Sequence, residues 1–149
     1  MDARMLTLAA AALALSVAGV SAADKKIQAK DLPAAVQKAV QEETKGTTIK
    51  GYAKEVENSK TTYEVETTVN GHARDLIFDP AGKLLVVEEA TSLDAVPAPV
   101  KAAFEARGKI LLVETVTTGK VVTYEAQVQQ KNGKKTEVTV NDEGKPVKP

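Results

Sequence analysis

The chain has 149 residues, and 20 acidic and 20 basic side chains give it a formal net charge of zero at pH 7. Without net charge there is no overall field to attract nucleic acid or an anionic membrane surface, so neither class of partner is predicted. The chain has no cysteine and no tryptophan, and aromatic residues make up 3% of it, which excludes disulfides and makes stacking sites for bases or sugars unexpected.

Residues 1–23 have the pattern of a secretory signal peptide. An apolar, uncharged run from Met5 to Val20 leads into small residues at 21–23, and polar sequence begins at Asp24. The run is shorter than the roughly 20 residues that span a bilayer, so we expect cleavage rather than membrane anchoring. The pattern predicts a periplasmic or secreted protein with no membrane association after cleavage.

The rest of the chain contains one pattern twice, and each copy opens with a helix. The dipeptides Leu32-Pro33 and Val96-Pro97 each precede apolar residues at helical spacing. Proline is well tolerated in a first helical turn, where no amide donor is lost. Asp31 and Asp94 lie just before these helices and are predicted as their N-caps.

Segments of alternating polarity follow each helix and are typical of strands buried on one face. The predicted strands lie near residues 48–57, 61–69, 73–79 and 83–89, then near 109–117, 121–131, 134–141 and 145–148. Asn70-Gly71 and Asn132-Gly133 are predicted as tight hairpin turns, because both residues can adopt positive φ. Connections this short cannot be parallel crossovers.

These elements predict an α+β fold of two tandem α-β-β-β-β modules, with an antiparallel sheet and one helix per module packed on one face. The first module is assigned to residues 24–92 and the second to residues 93–149. The segments 84–87 and 110–113 are apolar on both faces. We therefore expect the strands that contain them to meet where the two modules join or share a sheet.

Several motifs resemble the PepSY-like domains of bacterial exported proteins. They are Leu-Pro-x-x-Val-x-x-Ala-Val at 32–40, Thr-Tyr-Glu-Val at 62–65, the Asn70-Gly71 hairpin and Asp-x-x-Gly-Lys at 79–83. The tandem helix-plus-strands arrangement is also similar to the fold of the β-lactamase inhibitory protein. The resemblance covers about residues 31–149. It implies a non-enzymatic protein that restrains or chaperones peptidases, or that binds other exported proteins through a sheet face.

No constellation of residues predicts catalysis, a metal site or a cofactor. His72 is the only histidine and is interpreted as a solvated residue at a hairpin end. The serines outside the leader, Ser59 and Ser92, lie in no nucleophile elbow. One histidine without cysteine cannot supply the usual zinc ligand sets. The paired carboxylates Glu42-Glu43 and Glu88-Glu89 are interpreted as solvated.

The polar faces of the predicted strands are the remaining candidate for function. A partner-binding face is predicted at Glu64, Glu66, Thr68, Glu125, Gln127 and Gln129. The alternative interpretation is an ordinary solvent-facing sheet surface that is kept polar to avoid aggregation.

The leading functional hypothesis is an exported, non-enzymatic protein-binding module, a peptidase inhibitor or regulator among the options, with an exported protein or peptide as partner. A periplasmic protein of envelope stress that binds a small ligand or a metal ion is the alternative. An enzyme of unfamiliar type is the third hypothesis.

Overall fold

The computed structural model describes residues 24–147; the predicted signal peptide, residues 1–23, and residues 148–149 lie outside the described part. Its helices are α1 (Ala34–Glu43) and α2 (Ala98–Glu105). Its strands are β1 (Asp24–Ile27), β2 (Thr48–Glu57), β3 (Lys60–Val69), β4 (His72–Phe78), β5 (Leu84–Ala90), β6 (Lys109–Thr118), β7 (Val121–Gln129) and β8 (Lys135–Val140). No helix within residues 24–147 is long and apolar enough to cross a membrane.

The eight strands form one sheet in chain order, from β1 to β8, and every neighbouring pair is antiparallel. Hairpins connect most of them. The two longer connections carry the helices, α1 between β1 and β2 and α2 between β5 and β6. Both helices pack on the same face, which buries that face and leaves the other one without a helix from the described part of the chain.

The predicted division into two α-β-β-β-β modules is wrong, because the sheet is continuous. β5 and β6 pair from Val86↔Thr118 to Ala90↔Glu114, so the expectation that these two strands meet is confirmed. The extra strand β1 pairs with β2 and was not predicted.

The strand predicted at 145–148 is wrong as well, within the described residues. Only an isolated bridge between Val140 and Pro146 forms there. The N–H of Val147 donates to the carbonyl oxygen of Thr139 at 3.0 Å, so Pro146 lies at a position of this pair where no N–H donor is needed.

Two apolar clusters lie between the helices and the sheet. Val36 and Val40 of α1, together with Leu32, pack on side chains of the first half, namely Tyr63, Val65, Leu76 and Phe78. Val100 and Phe104 of α2 pack on side chains of the second half, namely Val96, Val113, Ala126, Val128 and Val140. The helical spacing of the apolar residues and the alternation in the strands produce these clusters directly.

The predicted aspartate N-caps are wrong. Pro33 and Pro97 occupy the N-cap positions themselves. Asp31 ends a short 3-10 turn, where its Oδ2 accepts a hydrogen bond from the N–H of Gln28 at 2.9 Å. Asp94 instead forms an ion pair with Lys101, whose Nζ lies 2.6 Å from its Oδ1.

The two predicted Asn-Gly hairpins differ. Asn70 and Gly71 both have positive φ, 49° and 86°, and join β3 to β4 as predicted. In the second hairpin only Gly133 has positive φ, at 83°. The loop there spans 130–134, because β7 ends before the asparagine and β8 starts after the glycine.

Candidate functional site

The sheet face opposite the helices carries a concentration of carboxyl groups. Successive side chains of a strand point to opposite faces, so the residues that alternate with the buried Val65 and Leu76 lie on this side. We call this surface the acidic face and define it by Glu64, Glu66, Asp75, Glu88, Glu114, Glu125 and Glu137. The strand registers place these residues on β3 to β8.

Several of these carboxyl groups are direct cross-strand neighbours. Asp75 lies opposite Glu66 on one side and opposite Glu88 on the other. Glu114 of β6 lies opposite Glu125 of β7. Like charges at directly opposite positions destabilise a sheet. The acidic face therefore has an electrostatic conflict that protonation or a nearby cation would relieve.

Burial strengthens the repulsion between carboxylates at the centre of the face. The side chain of Glu88 is 5% exposed, and that of Glu125 is 8% exposed. Burial, together with the neighbouring carboxylates of Glu114, Glu125, Glu64 and Asp75, raises the pKa of Glu88 to about 9.

The same causes act on the surrounding carboxyl groups. Burial, then the charges of Glu125, Asp75 and Glu137, raises the pKa of Glu114 to about 7. Burial and the charge of Glu66 raise the pKa of Asp75 to about 6. Glu114 and Asp75 therefore titrate near neutral pH.

Protein partners satisfy these carboxyl groups only in part. Thr139 donates a hydrogen bond from Oγ1 to Oε2 of Glu125 at 3.0 Å. The carboxylate of Glu66 lies over Gly51, since a Cβ built on that glycine would be 3.0 Å from Oε2. Glu88 makes no hydrogen bond to the described chain.

Lys26, Lys109 and Lys135 share this face at its margins. Within residues 24–147, no lysine, arginine or histidine nitrogen is within 4.0 Å of a carboxylate of Glu66, Asp75, Glu88, Glu114, Glu125 or Glu137. Glu89, Asp94 and Glu143 form ion pairs away from these six carboxylates.

A small apolar cluster borders the acidic residues on the same face. It consists of the buried side chains of Ile77, Val86 and Val116, with Leu85 packed against them. Val116 is the direct cross-strand neighbour of Glu88. Val121, which lies opposite Thr118 at the β6–β7 hairpin, is 60% exposed. The face thus presents acidic and aliphatic surface side by side.

The registers place the six predicted partner-binding residues, Glu64, Glu66, Thr68, Glu125, Gln127 and Gln129, on this face. Sequence reasoning missed Asp75, Glu88, Glu114 and Glu137. The same alternation in β4, β5, β6 and β8 was the signal that could have identified them.

The interpretation of Glu88-Glu89 as a solvated pair is wrong for Glu88. These neighbours point to opposite faces of β5. Glu88 is buried on the acidic face, whereas Glu89 lies on the helix side and is 38% exposed.

The side chain of His72 is 40% exposed, in line with its interpretation as a solvated hairpin residue, but it also contacts a carboxylate. Its Nε2 lies 2.9 Å from Oε1 of Glu89. The Nε of Arg74 lies 3.8 Å from Oε2 of the same carboxylate and has no hydrogen-bond partner in residues 24–147.

The two serines considered as nucleophiles lie apart. His72 and Ser92 line one shallow depression, whereas Ser59 lies in the β2–β3 turn with a φ of 63°. In the described residues no three acidic, histidine or cysteine side chains are grouped so as to hold a metal ion.

Comparison with known proteins shows the fold. No protein-family model matches the chain, and no curated protein matches it. A solved structure of a Bacteroides eggerthii protein described as periplasmic is 23% identical, with a TM-score of 0.65 over 78% of this chain and 86% of that one. A DUF2874 family protein of Bacteroides uniformis is 23% identical, with a TM-score of 0.64 over 78% and 86% of the two chains.

A third solved structure, of a BLIP-like protein from Bacteroides fragilis, is 20% identical, with a TM-score of 0.59 over 78% of this chain and 84% of that one. These likenesses support the predicted similarity to the β-lactamase inhibitory protein fold. The PepSY-like resemblance and the internal duplication stay predictions.

Proposed function

We propose that this chain is an exported periplasmic protein-binding module without turnover of its own, and that its partner contacts the acidic face. The observation that supports this most directly is a broad sheet face on which carboxyl groups oppose one another, with Glu88 buried among them. The carboxylates of such a surface repel one another, and a positively charged partner would reduce this repulsion.

The predicted signal peptide and the similar solved structures agree with this proposal. One of those structures is described as periplasmic and another as BLIP-like. Inhibition or regulation of a peptidase is a specific form of the same proposal. Because the likeness is one of fold, the partner must be identified by experiment.

A capture experiment with two matched double variants tests the proposal. The face variant, Glu66→Gln with Glu114→Gln, removes two carboxylates from the acidic face. The control variant, Glu42→Gln with Glu105→Gln, removes two exposed carboxylates from the helices. Each protein, expressed with its own leader and purified from the periplasm, is immobilised and exposed to periplasmic extract of the source bacterium.

Mass spectrometry should find a protein that the wild type and the control variant retain and that the face variant loses. Retention of the same proteins by all three, or of none by the wild type, would contradict the proposal. The alternative function, binding of a small ligand or metal ion, predicts a raised melting temperature with that ligand alone.

A further inference from the structure

We infer that the acidic face binds an extended, basic segment of a partner protein, with lysine or arginine head groups among the opposed carboxylates and aliphatic surface against the Ile77–Val86–Val116 cluster. This inference rests on the proposed function and specifies the chemistry of the partner. Four observations support it, and the first is local charge asymmetry. The whole chain has zero formal net charge, yet within residues 24–147 six carboxylates of this face form no ion pair, namely Glu66, Asp75, Glu88, Glu114, Glu125 and Glu137.

The second observation is the state of Glu88. Its side chain is 5% exposed and makes no hydrogen bond or ion pair with the described chain. Its surroundings are the acidic side chains of Glu114, Glu125, Glu64 and Asp75. Burial and these neighbouring carboxylates disfavour the ionised form of Glu88. An arginine or lysine head group beside it would favour its ionised form and would supply hydrogen-bond donors to that carboxylate.

The third observation is the extent of the face. Carboxyl groups occur on each of the five successive strands from β3 to β7. Since neighbouring strands are about 4.8 Å apart, they cover a width of about 19 Å. An extended peptide advances about 3.3 Å per residue, so a segment of about six residues would span that width. A partner with several positive charges fits this distribution better than a single small cation.

The fourth observation is the aliphatic surface beside the charges. Ile77, Val86 and Val116 form one cluster, and Val116 lies directly opposite Glu88. Lysine and arginine side chains bury aliphatic stems along apolar surface while their charged ends reach polar groups. The adjoining aliphatic and acidic areas therefore match the two parts of such side chains.

Binding of synthetic peptides tests the inference independently of the natural partner. The probe is a labelled hexapeptide of alternating arginine and valine; its matched control replaces each arginine by citrulline, which keeps the shape and removes the charge. Fluorescence anisotropy measures binding at pH 7.5 to the wild type, the face variant and the control variant. Spermine and Ca²⁺ are added as competitors, and circular dichroism checks that the variants are folded.

We expect the arginine peptide to bind the wild type and the control variant alike, and the face variant at least tenfold more weakly. The citrulline peptide should not bind, and higher salt should weaken binding of the arginine peptide. Equal binding of both peptides, or an unchanged affinity of the face variant, would overturn the inference. Displacement of the peptide by Ca²⁺ or spermine at lower concentrations than unlabelled peptide would also overturn it and would assign the face to small cations.

The two experiments separate the two proposals. If a natural partner is captured through the acidic face but the arginine peptide does not bind, the proposed function holds and the inference that the partner segment is basic is wrong. If the peptide binds as expected but the extract yields no face-dependent partner, the proposed function fails and the charge preference of the face remains.

Discussion

Among single residues, Glu88 is buried between other carboxyl groups, and its pKa is raised to about 9. The sequence gives no sign of this, because the next residue, Glu89, is also a glutamate and is partly exposed on the other face. Glu88 instead points to the acidic face, between side chains of β4 and β6. The partner groups across those strands, Asp75 and Val116, supply a negative charge and an apolar surface rather than a cation.

Replacing Glu88 with glutamine should make the protein more stable at neutral and alkaline pH. Because the pKa of Glu88 in the folded chain is raised to about 9 from its ordinary 4.5, the folded state binds more protons than the unfolded state between these values. The stability contributed by the protonated group is thus present at low pH and is lost as pH rises toward 9. We expect Glu88→Gln to raise the free energy of unfolding by about 1–3 kcal/mol at pH 9 and by little at pH 4.5.

Urea unfolding followed by circular dichroism from pH 4.5 to pH 9 measures this difference. Glu42→Gln on the exposed face of α1 is the control, and its stability should follow that of the wild type across the range. Part of the pH dependence should remain in Glu88→Gln, because the pKa values of Glu114 and Asp75 are raised too. A destabilisation by Glu88→Gln at pH 9 would show that the ionised carboxylate has a stabilising partner.

Among the elements, the turn between β4 and β5 fixes the position of α1. Within this turn, Oδ1 of Asp79 accepts hydrogen bonds from the N–H groups of Ala81 and Lys83, both at 2.9 Å. Gly82 has a φ of +83° and lies against α1, so that a Cβ on it would be 2.5 Å from the carbonyl oxygen of Ala35. The same arrangement recurs at 141–145, where Oδ1 of Asn141 accepts from the N–H groups of residues 143 and 145.

Replacing Gly82 with alanine should be strongly destabilising, because it combines backbone strain with a clash against the helix. Left-handed φ costs a non-glycine residue about 1–2 kcal/mol, and forced overpacking adds about 1–3 kcal/mol. Gly71→Ala is the matched control, since Gly71 has a φ of +86° and nothing within 4 Å of a built Cβ. Chemical denaturation should show a loss of about 3 kcal/mol for Gly82→Ala and about 1 kcal/mol for Gly71→Ala; equal losses would mean that the contact with α1 is unimportant.

For the whole molecule, the continuous sheet joins the two helix-packed clusters into one structure. The β5–β6 pairing and the cluster of Ile77, Val86 and Val116 cross the boundary that the sequence places between modules. Cooperative unfolding of both halves is therefore expected, in contrast to the behaviour of two independent modules.

Replacing Phe104 with alanine tests this cooperativity. Phe104 of α2 is fully buried in the second core cluster, and its truncation should lower the free energy of unfolding by about 3–5 kcal/mol. Native-state hydrogen exchange should then show a matching loss of protection at Val65, which lies in the other cluster. Val122→Ala, at a position that is 45% exposed, should leave both halves unchanged. Loss of protection confined to β6–β8 would instead indicate two independent units.

The sequence by itself determined the positions of most elements, because helical spacing, strand alternation and turn chemistry are local. The predicted strand at 48–57 agrees with β2 at both ends, and Asn70-Gly71 forms the predicted turn. Alternation also placed Glu64, Glu66 and Glu125 on one face. None of these features requires knowledge of which strand lies beside which.

Only the tertiary structure decided that the two halves share one sheet, that β1 extends it and that residues near 146 form an isolated bridge in place of a strand. It alone showed Glu88 to be buried among other carboxyl groups. These properties arise from pairing between residues far apart in the chain, such as Glu88 with Val116 and Glu114 with Glu125. Burial and pKa depend on what lies across the strand, and a local sequence pattern does not contain that information.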